Sequence, residues 1–121
     1  MKKNIPNNVN MAINEFIREV NDLLGSRVNR IILYGSYARG DFEDNSDIDI
    51  MILTDLSDEE IIKYRDKISD IAYEIEYENN FDFMFSPLVK NTNKFNYWLE
   101  ALPFYMNVQK EGVILSDTKN I

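Results

Sequence analysis

Arg30-Ile31-Ile32-Leu33-Tyr34-Gly35-Ser36-Tyr37-Ala38-Arg39-Gly40, followed after an acidic loop by Ser46-Asp47-Ile48-Asp49-Ile50-Met51-Ile52-Leu53, is the stretch that decides the fold. The run Arg30 to Tyr34 has the length and apolar content of a short buried strand, and it stops at Gly35, where the chain turns. Tyr37 to Arg39 reads as a brief helical turn, and Gly40 to Ser46 as a polar loop. From Asp47 to Leu53 the period is two: Asp47, Asp49 and Met51 fall on one side of a strand and Ile48, Ile50 and Ile52 on the other. Two carboxylates therefore share one face at the start of a strand whose other face is core.

Working outward, Asn10 to Leu24 carries Ile13, Phe16, Ile17, Val20, Leu23 and Leu24 at the spacing of a helix with one buried face, ended by Gly25 and Ser26. Ser57 or Asp58 is the expected cap of a second helix, whose stripe of Ile61, Tyr64, Ile68, Ile71, Ala72 and Ile75 covers the sheet. Asn79 and Asn80 mark a turn. Beyond it Phe81, Phe83 and Phe85 alternate with Asp82 and Met84, the pattern of a strand that Pro87 stops. A short helix is expected from Thr92 to Leu102, stopped by Pro103, then a helical stretch from Phe104 to Lys110 and an edge strand from Val113 to Leu115. There is no internal repeat and no long linker. The order of elements predicts one α/β or α+β domain over residues 1–121, a small mixed sheet with flanking helices and a short helical C-terminal part from about residue 92.

Composition removes whole classes of chemistry. The 121 residues contain no cysteine and no histidine, which excludes disulfides, thiolate nucleophiles, thiolate zinc sites and imidazole bases. A metal would have to be held mainly by oxygen ligands, which suits magnesium or manganese. No apolar run approaches the roughly 20 residues that cross a bilayer, and Met1 to Pro6 lacks the apolar stretch of a signal peptide. No membrane association is expected, and a cytoplasmic location is. The net charge of -8 repels a nucleic-acid backbone, so extended binding of DNA or RNA is not expected, although a locally positive pocket can still take one nucleotide. The acidic surface serves solubility or a basic protein partner.

Three features converge on one site. Gly35 lets the backbone approach a ligand closely, and Ser36 with the following amides can receive phosphate oxygens, although a Gly-Ser pair alone is commonly just a turn. Asp47 and Asp49 stand at the spacing at which both can bind one divalent ion or two neighbouring ions, whose charge offsets that of a triphosphate. Asp82, on a strand beside theirs, would be the third carboxylate, binding the ion that carries the nucleophile or accepting its proton. Arg39 either returns over the phosphates or pairs with Asp41 or Asp44. Asp41, Glu43 and Asp44 read as a solvated rim.

At these residues the chain resembles the minimal nucleotidyltransferases of the DNA polymerase beta superfamily, whose signature is Gly-Ser, a short stretch with Ala-Arg-Gly, then Ser-Asp-x-Asp. Here it reads Gly35-Ser36-Tyr37-Ala38-Arg39-Gly40 and Ser46-Asp47-Ile48-Asp49. The resemblance implies a nucleotidyltransferase fold and a magnesium- or manganese-dependent transfer of a nucleoside monophosphate from ATP or another triphosphate to a hydroxyl, with release of pyrophosphate. Gly35, Ser36 and Arg39 would bind the nucleotide, while Asp47, Asp49 and Asp82 would be the metal ligands and catalytic residues.

Minimal proteins of this kind often accompany a small helical HEPN-type toxin and act as its antitoxin, in some cases by adenylylating a tyrosine. That makes a HEPN-type protein the expected partner and its hydroxyl the expected acceptor. Two alternatives stand beside this one. One is an antitoxin that works by occlusion without turnover. The other is a transferase for a small molecule such as an aminoglycoside, which would need a homo-oligomer or a partner subunit to complete its pocket. The aromatics Phe95, Tyr97, Trp98, Phe104 and Tyr105 belong either to an interface or to a satellite core.

Overall fold

Ile48–Thr54 forms β2, and the alternation of its residues is used in full, because both of its faces are covered. The computed structural model describes residues 2–117 and shows a four-stranded sheet in the order β3-β2-β1-β4. β1 (Val28–Tyr34) and β2 are antiparallel, with Tyr34 opposite Asp49. β3 (Phe85–Asn91) lies parallel to β2, and β4 (Val113–Asp117) is antiparallel to β1 at the other edge.

Ile31, Leu33, Ile48, Ile50 and Ile52 project from one face into a core shared with α1 (Asn7–Leu24) and α3 (Asp58–Glu78), where Phe16, Val20, Ile68 and Ile75 are buried. Ile32, Tyr34, Met51 and Leu53 project from the other, against Phe95 of α4 (Thr92–Trp98) and Val108 of α5 (Pro103–Glu111). By the same alternation, Asp49 belongs to the face that α5 covers. This is the expected small mixed sheet with flanking helices.

The helix signals hold with shifted ends. α1 begins at Asn7, directly after Pro6. A single 3-10 turn, Gly25–Arg27, separates it from β1. Ser57 caps α3 through a reciprocal pair: its hydroxyl accepts the Glu60 N–H at 3.3 Å, and Glu60 Oε1 accepts the Ser57 N–H at 3.1 Å. Arg27 also donates twice to the Glu60 carboxylate, at 3.1 and 3.0 Å, joining the start of β1 to that cap.

Two expectations for the second half of the chain are corrected. Phe81 to Phe85 is not a strand. Asn80 and Phe81 both adopt φ of 56°, so the chain leaves α3 in a left-handed turn, with the Phe81 N–H donating to Glu76 O at 2.8 Å. No residue can extend a strand from that conformation. β3 starts only at Phe85 and runs through Pro87, which is tolerated because β3 is an edge strand and needs no donor on its outer side. The helix expected from Thr92 to Leu102 ends at Trp98, and Pro103, rather than stopping it, opens α5 at its first position. The expected final strand is present and extends to Asp117. Among the described residues, no helix is long and apolar enough to cross a membrane.

Candidate active site

The site begins where β1 ends. Gly35 has φ 74° and ψ -154°, a conformation open essentially to glycine alone, and it caps the four-residue helix α2 (Ser36–Arg39). A Cβ at Gly35 would fall on Asp49 Oδ2 and 3.1 Å from Asp49 Cγ, so the missing side chain is what lets the carboxylate lie against the turn. Gly40, at φ 83°, ends α2 in the left-handed region with its N–H on Ser36 O at 2.9 Å. The loop that follows is anchored rather than loose. Phe42 is buried and stacks on Tyr37 with ring centroids 4.3 Å apart, and Ser46 Oγ accepts the Glu43 N–H at 2.8 Å.

That anchored loop delivers Asp47 to the position just before β2. Asp47 is exposed and Asp49 half-buried. Burial, and secondarily the charge of Asp47, push the Asp49 carboxyl above its ordinary range, while Arg39 pulls the other way. Tyr34, buried opposite Asp49, is pushed up to about 12 by desolvation and by that same carboxylate. Two like charges two residues apart at the start of β2, with a glycine cradle kept open beside the inner one, are a donor set suited to a hard divalent cation, which would relieve their repulsion.

A cavity of about 410 Å³ opens over Asp49, the inner of the two. Tyr34 and Asp49 form its sheet side and Gly35, Ser36 and Arg39 its turn side. The opposite wall is α5, through Phe104, Asn107, Val108 and Glu111. These four are spaced as one face of a helix, and sequence reasoning missed them. Their periodicity was legible, but nothing in it said which helix would lie over the aspartates. Phe104 meets Tyr34 edge to face at 5.7 Å, and Glu111 Oε2 accepts from Arg39 at 3.2 Å.

Arg39 realises the pairing alternative in this structure: its Nε donates to Asp41 Oδ2 at 3.2 Å, and both carboxylates hold its guanidinium protonated. It nevertheless faces the cavity, where it is the cationic side chain of the wall. Glu43 lies 3.8 Å from Lys3, and Glu43 and Asp44 are exposed, in keeping with a rim.

Asp82 is not brought to the other two aspartates. It is exposed in the turn before β3, and among the described residues no three His, Cys, Asp or Glu side chains come together where they could hold a metal ion. The residue of β3 opposite Asp49 is Ser86. Asp82 lies two residues upstream of Met84, whose carbonyl accepts the Ile48 N–H at 2.8 Å, so the turn abuts the strand end that carries Asp47. The C-terminal aromatics divide between the two readings: Phe95 and Tyr105 pack under the sheet, whereas Tyr97, Trp98 and Phe104 are exposed.

Comparison with known proteins bears on this geometry. Residues 13–114 match the model of the nucleotidyltransferase domain family. The provisionally named protein adenylyltransferase MJ0141 of Methanocaldococcus jannaschii is 36% identical over 77 residues, covering 64% of this chain and 74% of that one. The likewise named MJ0604 of the same organism is 32% identical over 108 residues, covering 89% and 98%. Among solved structures, a mutant of the toxin–antitoxin MntA–HpeT superposes with a TM-score of 0.51 at 18% identity, over 86% of this chain and 73% of that one. A toxin–antitoxin crystallised with AMP-PNP gives 0.51 at 20% identity, over 87% and 73%. At these identities the two structures are likenesses of fold.

Proposed function

The chain belongs to the nucleotidyltransferase domain family, and from that premise we propose that it transfers AMP from ATP to a hydroxyl of a partner protein, a HEPN-type toxin, acting as its antitoxin in the cytoplasm. The observation that supports this reading is the apposition of Gly35 and Asp49, which sets the turn at Ser36 against one carboxylate of the Asp47–Asp49 motif in one cavity. The relatives named as protein adenylyltransferases support a protein acceptor.

In this reading Asp47 and Asp49 hold magnesium, or manganese in its place. When bound, the ion supplies positive charge against the triphosphate and lowers the pKa of the attacking hydroxyl. Ser36 donates its hydroxyl to an outer phosphate oxygen, and Arg39 exchanges a carboxylate partner for a phosphate, two acceptors that suit a guanidinium alike. The acceptor oxygen bonds to the α-phosphorus as the bond from that phosphorus to the bridging oxygen breaks, and pyrophosphate leaves. Asp82, apart from the Asp47–Asp49 pair, on the turn that abuts the Asp47 end of β2, takes the hydroxyl proton on the acceptor side.

The test is incubation of the chain with radiolabelled ATP, magnesium and the HEPN-type partner, followed by intact-mass measurement of both proteins. Addition of AMP to the partner is expected. Binding and inhibition of the partner with no adduct would establish instead the occlusion reading, which the separation of Asp82 from Asp47 and Asp49 favours.

A further inference from the structure

Away from the cavity, the C-terminal end of α3 displays an aromatic surface that the fold does not use. Tyr73 and Tyr77, one helical turn apart, are 58% and 66% exposed, and Phe81 is 45% exposed, with its ring 5.7 Å from that of Tyr73 and 6.0 Å from that of Tyr77. Phe81 reaches this place at a cost. It holds φ of 56°, which a bulky aromatic seldom adopts, and even so its ring stays nearly half exposed. The turn is pinned from below: Asn79 Nδ2 donates to Ile75 O at 2.8 Å, and the buried Glu76 carboxylate accepts the Phe85 N–H at 2.7 Å.

The surroundings of the patch are predominantly acidic. From Ser69 to Glu78 α3 carries Asp70, Glu74, Glu76 and Glu78 and no lysine or arginine. Glu15 and Glu19 of α1 adjoin it: burial first, then the charges of Glu15, Glu74 and Glu78, raise the Glu19 carboxyl above its ordinary range, while Arg18 pulls the other way. A nucleic acid would be repelled here, and a second copy of the chain would set carboxylates against carboxylates.

We propose that Tyr73, Tyr77 and Phe81, fringed by Glu74, Glu78 and Asp82, form the surface on which the acceptor protein docks, through a basic amphipathic segment bearing lysine or arginine among apolar side chains. Arginine suits such a site twice, stacking its plane on the rings and pairing with the carboxylates. Position adds a second argument. The turn that presents Phe81 leads within three residues to Met84, whose carbonyl accepts the N–H of Ile48, the residue after Asp47, so the patch adjoins the same end of β2. The identity of the docked protein as the acceptor rests on the function proposed above, whereas the surface and its chemistry do not.

The probe is a synthetic amphipathic peptide of leucine, lysine and arginine, about 18 residues long so that it can be helical. Backbone NMR shifts on titration should centre on residues 73–82, and the same peptide with glutamate in place of lysine and arginine should not bind. Phe81→Gly should bind the basic peptide roughly tenfold more weakly. Because glycine is at ease at positive φ, that variant should melt no lower than the parent chain, which a merely structural role for the ring would not allow. Shifts centred elsewhere, or undiminished binding by Phe81→Gly, would overturn the proposal. In a second arm, Phe81→Gly should slow AMP labelling of the HEPN-type partner while leaving AMP-PNP affinity unchanged. Absence of AMP-PNP binding in the parent chain would count against the transferase reading alone, since the peptide titration does not depend on it.

Discussion

Gly35 and Asp49 are fitted to each other: the Asp49 carboxylate occupies the space that a Cβ on residue 35 would need, from a half-buried place opposite Tyr34. Gly35→Ala is therefore expected to fail twice, through backbone strain of about 1 to 3 kcal/mol and through displacement of the carboxylate. Thermal melting should show a clear loss of stability. Affinity for a non-hydrolysable triphosphate should fall by more than that instability accounts for, and a variant that binds normally would detach this turn from the site.

Asp47→Asn with Asp49→Asn should retain the fold and lose metal-dependent triphosphate binding. Asp49 has a raised carboxyl pKa, so its contribution to stability is complete at pH below the ordinary aspartate value and is lost as pH rises through its folded value. At neutral pH the charged pair is thus a mild liability. The double variant should melt at or above the parent temperature without metal, and magnesium should raise the melting temperature of the parent only. Calorimetric titration with AMP-PNP, with and without magnesium, checks the binding half. Equal affinity in all four combinations would remove both residues from the metal site.

On the proposed function Glu111 would compete with the triphosphate for Arg39, because its carboxylate reaches the guanidinium at 3.2 Å from the opposite wall of the cavity. Glu111→Gln should strengthen AMP-PNP binding by roughly two- to fivefold, the range of an exposed ion pair. Arg39→Ala should weaken it about tenfold or more, as expected when a charged hydrogen bond is removed, and Glu111→Gln should then have no further effect. Independent effects of the two substitutions in a double-mutant cycle would show that the contact is not linked to nucleotide binding.

Asp82→Asn should separate binding from transfer. The triphosphate should bind with nearly unchanged affinity, because Asp82 lies outside the cavity lined by Asp49 and Ser36. Single-turnover labelling of the partner should slow by about two powers of ten, the contribution of a general base. Labelling at the parental rate would exclude Asp82 from catalysis and leave a site with two aspartates.

Local alternation and turn chemistry sufficed for the first half of the chain. The period of two over Asp47 to Leu53, the stop at Gly35 and the Ser57 cap were each readable because they depend on the residues immediately around them; in the fold Gly35 lies against Asp49, and Asp47 stands just ahead of β2. What the sequence left undecided depends on partners remote in the chain. Phe81 to Phe85 alternates like a strand, yet the left-handed turn at Asn80 and Phe81 and the pairing of Phe85 with Ile48 place the strand later, and Asp82 falls outside it. Pro87 reads as a breaker until β3 proves to be an edge, where no partner requires its missing N–H. The seating of α5 over Asp49, and with it the roles of Phe104, Asn107 and Glu111, comes from burial of Val108 against Ile32, Met51 and Leu53. An amphipathic pattern states that a helix has a face to bury, but only the assembled sheet supplies the surface that receives it.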